Sequence, residues 1–240
     1  MAASIEELTR TYPARYGFKC DFERADDIID NELFALDVIG TGTFALAGVN
    51  GPGVLIAGAA TTDNDGHNVQ AINVQHRLVA GRTHRFINTF ALYETTSANG
   101  ATESDIWFGA MTLDASIIAS QASLYGVFFR KDEGDANIDC CYCINSAITV
   151  VQSAAATLAQ PAAGVVGDNT TWEIRIQSST GSAVSTRLEW IIDGRVVAST
   201  TIATLLASNL LLWSLAYQTG DATGTKGMIL RRALTDCNLI

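Results

Sequence analysis

The chain has 240 residues, 48% of them hydrophobic and 17% charged, with a formal net charge of −10. At this length about 70% of the unfolded surface can be buried, so a full core needs no staples. The charged fraction lies below the ~25% of an average soluble domain, so the surface is built from small polar residues or is partly covered by other chains. The acidic balance, with Lys19, Lys131 and Lys226 as the only lysines, argues against a nucleic-acid binder or adhesion to anionic lipid, because both draw their affinity from Lys and Arg.

Residues 1–35 differ from the rest in their density of charge. Ser4-Ile-Glu-Glu7 matches a capping box and predicts a short N-terminal helix, limited by Pro13. The segment is expected to be an N-terminal extension: either an arm packed on a neighbouring subunit or a strand and loop packed on its own domain. The first ten residues lack a basic stretch followed by an apolar one, so no secretory signal is read. The apolar run 205–213 is broken by Ser208 and Asn209, and no run reaches the ~18 residues of a membrane span. The expectation is a chain that folds in a cytoplasm.

From Leu33 the pattern turns to short apolar stretches bounded by Gly, Asn, Asp and Ser. Strands are predicted at 34–39, 43–46 and 54–58, with a turn at 50–53. An Asx- and Gly-rich loop at 62–67 precedes a strand at 69–75 whose alternation slips by one residue. Residues 83–94 alternate, with Arg85, Ile87, Thr89, Ala91 and Tyr93 on one face and His84, Phe86, Asn88, Phe90 and Leu92 on the other. Further strands fall at 104–113, 125–130, 137–144 and 147–152, with a loop or helical turn at 114–121. The Ala-rich stretch 154–167, which contains Pro161, reads as a connection. Residues 171–177 alternate, with Trp172, Ile174 and Ile176 inward and Glu173, Arg175 and Gln177 outward. Two β-rich runs then meet at Asp193-Gly194, which supply the positive φ of a type I′ hairpin turn at least cost. Strands at 209–217 and 227–234 close the chain. Roughly a dozen strands at this spacing predict an all-β fold, a single antiparallel β-sandwich over 36–240, two sheets packed face to face.

Candidate chemistry is sparse. Five cysteines, Cys20, Cys140, Cys141, Cys143 and Cys237, form an odd set and read as reduced thiols. On a strand, Cys141 and Cys143 share one face and Cys140 the other, so the three cannot close a tetrahedral metal site, and they are expected to be small buried hydrophobes. Asp63, Asn64 and Asp65 offer oxygen ligands to calcium, but one short run rarely fills six positions, and an Asx turn is the expectation. Glu103 with Asp105, and Asp132 with Glu133, are acidic pairs beside turns and read as solvated loop charge. His67, His76 and His84 lie close in sequence, the last two on different strands, so convergence is open. Gly40-Thr-Gly42 opens no helix and has no downstream Lys, so it is not a phosphate loop. No Gly-x-Ser-x-Gly elbow is present. Trp107, Trp172, Trp190 and Trp213 sit inside strand patterns and are expected in the core. No catalytic, cofactor-binding or metal residue is assigned.

The order of the later segments carries a resemblance. Residues 90–93, Ile106-Trp-Phe-Gly109, 126–137, Trp172-Glu-Ile-Arg-Ile176, Leu188-Glu-Trp-Ile-Ile-Asp-Gly-Arg-Val196 and 228–234 together resemble the concanavalin-A-like (lectin/glucanase, LamG-type) jelly roll. More narrowly they resemble lectin-like structural proteins of tailed bacteriophages, of the head decoration or cement type. The likeness rests on turn and strand patterns over 40–236. It implies a non-enzymatic virion protein without cofactor, seated on the capsid surface. Its partner would be the major capsid protein of the phage head, and it would work as a homo-oligomer, dimer or trimer. A carbohydrate-binding module reading host glycans is the alternative, and a glycoside hydrolase or lyase the third reading. The chain lacks the Glu-x-Asp-x-x-Glu run that glucanases of this fold place on one strand, which puts hydrolysis in doubt.

Overall fold

The computed structural model describes residues 17–22, 33–48, 51–58, 64–95, 99–118, 125–179, 185–203, 210–220 and 224–239. The helix expected after Ser4 lies outside them. The described strands run in chain order β1 (Phe18–Asp21), β2 (Phe34–Ile39), β3 (Thr43–Leu46), β4 (Val54–Ala57), β5 (Gly66–Ala71), β6 (His76–Arg77), β7 (Arg82–Glu94) and β8 (Ser104–Met111). They continue with β9 (Gly126–Lys131), β10 (Asn137–Ile144), β11 (Ala147–Thr157), β12 (Thr170–Ser178), β13 (Thr186–Ile192), β14 (Arg195–Ile202), β15 (Leu210–Thr219) and β16 (Lys226–Leu239).

These strands form two antiparallel sheets. The first has the order β14-β13-β12-β7-β16-β4-β3, with β1 also on β16; the second has the order β11-β10-β9-β8-β15-β5-β2, with β6 also on β15. The inner faces bury Phe86, Phe90, Trp172, Ile174, Trp190 and Met228 from the first sheet against Ile106, Phe108, Phe129, Trp213, Leu215 and Tyr217 from the second. All four tryptophans are fully buried. Removing one such ring from water stabilises the fold by about 5 kcal/mol at ~25 cal/mol/Å². The alternation read in 83–94 and 171–177 follows from this packing: in each strand the apolar set faces the other sheet.

The outward face of the first sheet is a ladder of charge. Asp236, Arg85, Arg175 and Glu189 lie in register across β16, β7, β12 and β13. Glu173 bridges Arg85 (2.8 Å) and Arg175 (2.9 Å), and Glu189 pairs with Arg175 (3.1 Å) and Arg187 (2.7 Å). The two arginines hold the buried Glu173 carboxyl below its ordinary range although burial alone would raise it.

Several boundaries differ from expectation. Residues Phe18–Asp21 pair with Arg232–Thr235 of the same chain, and Phe22 is buried in the core. The stretch 154–157, read as connection, continues β11, because an irregular register near Cys140 lets the strand resume pairing at Ala156 and Thr157. Strand β5 begins at Gly66 within the predicted loop and ends at Ala71. The slip of register at 69–75 is that strand's end, followed by a turn into β6. At the β13–β14 hairpin Asp193 and Gly194 adopt φ of 48° and 79°. The Asp193 carboxylate also accepts the Thr171 N–H at 2.7 Å, which ties the turn to β12.

Candidate functional site

On the outer face of the second sheet, polar, aromatic and thiol side chains gather out of water. Across β5, β15, β8, β9, β10 and β11 the register places Gln70, Ser214, Gly109, Phe128, Cys141 and Val150 in one row. The adjacent row holds Asn68, Ala216, Trp107, Arg130 and Asp139. Trp107 stacks on Phe128 with ring centroids 4.9 Å apart and planes 11° from parallel. Arg130 pairs with Asp139 (3.0 Å) and Asp132 (3.2 Å).

The chain covers this face itself. Residues 112–118 leave β8 and cross the sheet. The Gln70 amide donates to Thr112 O (3.0 Å) and Ser214 Oγ (2.8 Å), and accepts the Asp114 N–H (2.8 Å). Asn68 Nδ2 donates to Asp114 O (2.5 Å). Ile117 is fully buried and packs with Trp107, Met111, Phe128, Cys141 and Cys143. Two side-chain amides thus do for the loop backbone what water would otherwise do, and Ile117 makes the contact dry.

Burial pushes the Cys141 thiol up to about 12 and raises Cys140 and Cys143 as well, which favours the protonated thiol at neutral pH. They face as expected, with Cys141 and Cys143 on the outer face and Cys140 in the core. Among the described residues no group of three or more His, Cys, Asp and Glu is placed to hold a metal ion.

At one end of the sandwich the two acidic pairs come together around a cation. Lys131 is fully buried and donates to Thr102 O (2.9 Å) and to Ser104 O, with Ser104 Oγ at 3.5 Å. Burial lowers its pKa to about 8, against the pull of Asp105, Asp135, Glu103 and Asp132. Asp105 Oδ1 accepts the Glu133 N–H (2.7 Å), and Glu103 O accepts the Gly220 N–H (2.8 Å). Of the carboxylates read from sequence as solvated loop charge, Glu103, Asp105 and Asp132 therefore act on a buried lysine that holds the carbonyls of Thr102 and Ser104. Nearby, the Asp65 carboxylate accepts the Thr41 N–H (3.0 Å) and the Thr41 hydroxyl (2.5 Å). Gly40 makes room for it, since a Cβ there would lie 1.7 Å from Asp65 Oδ1 and φ is +65°. Gly40 and Thr41 thus cradle the protein's own Asp65 carboxylate. Asp63 lies outside the described residues.

Among the histidines, His76 and His84 converge. Their Nδ1 atoms are 3.2 Å apart; His76 Nε2 reaches Thr235 Oγ1 (2.9 Å), and His84 Nε2 lies 3.8 Å from Cys237 Sγ. Burial lowers the two pKa values to about 3 and about 4. His67 is separate, its ring edge-on to Phe44. A recess of about 150 Å³ opens among Phe90, Ile138, Trp172, Asp168, Asn169 and Asp193, smaller than the ~300–1,000 Å³ of most small-molecule sites.

Sequence reasoning missed Asn68, Gln70, Ser214 and Lys131. The first three occupy outward strand positions, where polar residues ordinarily meet solvent, and no local signal marks a loop that will cover them.

No family model matches the chain, and no curated protein does. Solved structures do. An endo-1,3-beta-glucanase from Streptomyces sioyaensis aligns over 95% of this chain and 98% of its own, with a TM-score of 0.59 and 12% identity. Peanut lectin aligns over 94% and 98%, with a TM-score of 0.54 and 11% identity. The CBM2 module of the evolved Dit of Lactobacillus casei BL23 phage J-1 aligns over 93% and 96%, with a TM-score of 0.55 and 10% identity. The fold is therefore the concanavalin-A-like β-sandwich of lectins and glucanases. Identities this low establish the fold and leave function to the site.

Proposed function

We propose that the chain is a non-enzymatic structural module that works by covering surface within a larger assembly, and that the assembly is a virion shell whose major capsid protein it binds and stabilises. The observation that carries this reading is the outer face of the second sheet, filled by the chain's own residues 112–118 and Ile117. Hydrolysis needs two carboxylates about 5–10 Å apart across an open cleft. On this face Asp139 and Asp132 are neutralised by Arg130, and the central row offers an amide, a hydroxyl, a phenyl ring and a thiol. A rigid sandwich bound across shell subunits stabilises the assembled state by mass action. Co-sedimentation with emptied shells of the virus that encodes the chain tests this. Saturable binding that raises the shell's melting temperature is the expected result; no binding to shells overturns it.

A second reading, a carbohydrate-binding module, is favoured by the recess beside Trp172, where Asp168, Asn169 and Asp193 gather around an aromatic wall. A glycan array addresses it: retention of a sugar that is lost in Asn169→Ala installs this reading in place of the first.

A further inference from the structure

The two sides of the sandwich treat their open edges differently. On one side lie β2, which carries Asp37, the four-residue β3, and β1 with its Lys19–Asp21 ion pair at 2.5 Å. Charge and shortness are the ordinary protections of an edge strand. On the other side β11 and β14 end their sheets and lie against each other. Cys140 through Gly167, which includes all of β11, contains no Asp, Glu, Lys, Arg or His, and β14 carries only Arg195, its first residue, among these types. Strand β11 runs eleven residues and is largely exposed. It carries the β-branched run Ile148-Thr-Val-Val151, with Val150 at 42% and, on β14, Val196 at 54% exposure.

We infer that this bare side is a self-association surface, on which β11 of one copy pairs antiparallel with β11 of a second about a two-fold axis. The inference rests on the structural reading above. A strand added to a sheet edge is held by main-chain hydrogen bonds, and its side chains must find no charge opposite them. At −10 per chain two copies repel over most of their surface. The uncharged side is where they meet without placing like charges together. Two-fold pairing is self-complementary, so each uncharged residue of β11 faces another from the same strand. Against β10 the register of β11 is regular over 147–150 and shifts beyond Val150, and Ala154 has a positive φ of 47°, so 147–150 is the regular stretch that β11 offers a second strand.

The experiment is the mass of the full chain in solution by size-exclusion chromatography with light scattering, compared with Val150→Lys and Val196→Lys on the bare side and Val38→Lys on β2 as control. All three positions are exposed, and a single cooperative unfolding transition with an unchanged far-UV circular dichroism spectrum confirms that each variant folds. The wild type and Val38→Lys are expected at twice the chain mass, with Val150→Lys and Val196→Lys at the chain mass. A monomeric wild type, a dimer that survives Val150→Lys, or equal disruption by Val38→Lys overturns the inference. Shell binding is measured separately with the wild-type chain, so a failure there bears on the proposed function and not on this contact.

Discussion

The paired histidines show how much a single contact sets at the scale of one residue. Between two Nδ1 atoms 3.2 Å apart there is room for one proton, so at most one ring donates across the contact and the pair does not take two charges cheaply. Burial holds both pKa values, at about 3 and about 4, below the ordinary 6.5. The unfolded chain therefore takes up protons first as pH falls, and stability present above pH ~6.5 is lost progressively toward pH ~4, with a limiting slope of about 1.4 kcal/mol per unit for each ring. Urea unfolding at pH 7 and pH 5 is expected to show this loss, and His76→Phe to flatten the slope by about half. The thiols give a second expectation. Cys140, Cys141, Cys143 and Cys237 are buried and only Cys20 is partly exposed, so a disulfide reagent should titrate Cys20 alone in the native protein and all five thiols in denaturant. At Gly40, where a Cβ would strike the Asp65 carboxylate, Gly40→Ala is expected to cost about 1–3 kcal/mol in chemical denaturation.

Elements here are set by what they pack against. Strand β8 was legible as a strand, but its double burial was not: Ile106, Phe108 and Ala110 face the main core while Trp107 and Met111 lie under residues 112–118. Ile117→Ala removes the apolar anchor of that cover, at about 2–4 kcal/mol. Trp107 fluorescence should then become accessible to a soluble quencher, which a purely global destabilisation would not produce under native conditions. The β13–β14 hairpin was readable because its signal is local, two residues with positive φ between β-rich runs. Its tie to β12 through the Asp193 carboxylate and Thr171 N–H was not. Asp193→Ala loses both the tolerance of φ 48° and that bond, and is expected to lower stability by about 1–2 kcal/mol in thermal unfolding.

For the whole molecule, the sequence by itself determined the class of fold. Period-two alternation, frequent turn residues and a sufficient apolar fraction leave an antiparallel sandwich as the economical way to bury these strands. It also determined that Cys141 and Cys143 face opposite to Cys140, since strand geometry alone requires it. Tertiary structure decided everything that depends on partners distant in the chain. The Nδ1 contact of His76 and His84, the acidic loops drawn around Lys131, the Thr41 donors on Asp65 and the amides of Asn68 and Gln70 under Asp114 are long-range meetings. Side-chain periodicity says which face a residue takes, but not what lies over that face. Pairing order between strands is not written in local propensity, because it is the packing of two sheets that selects it. The candidate site was therefore invisible in sequence while the sandwich that carries it was not.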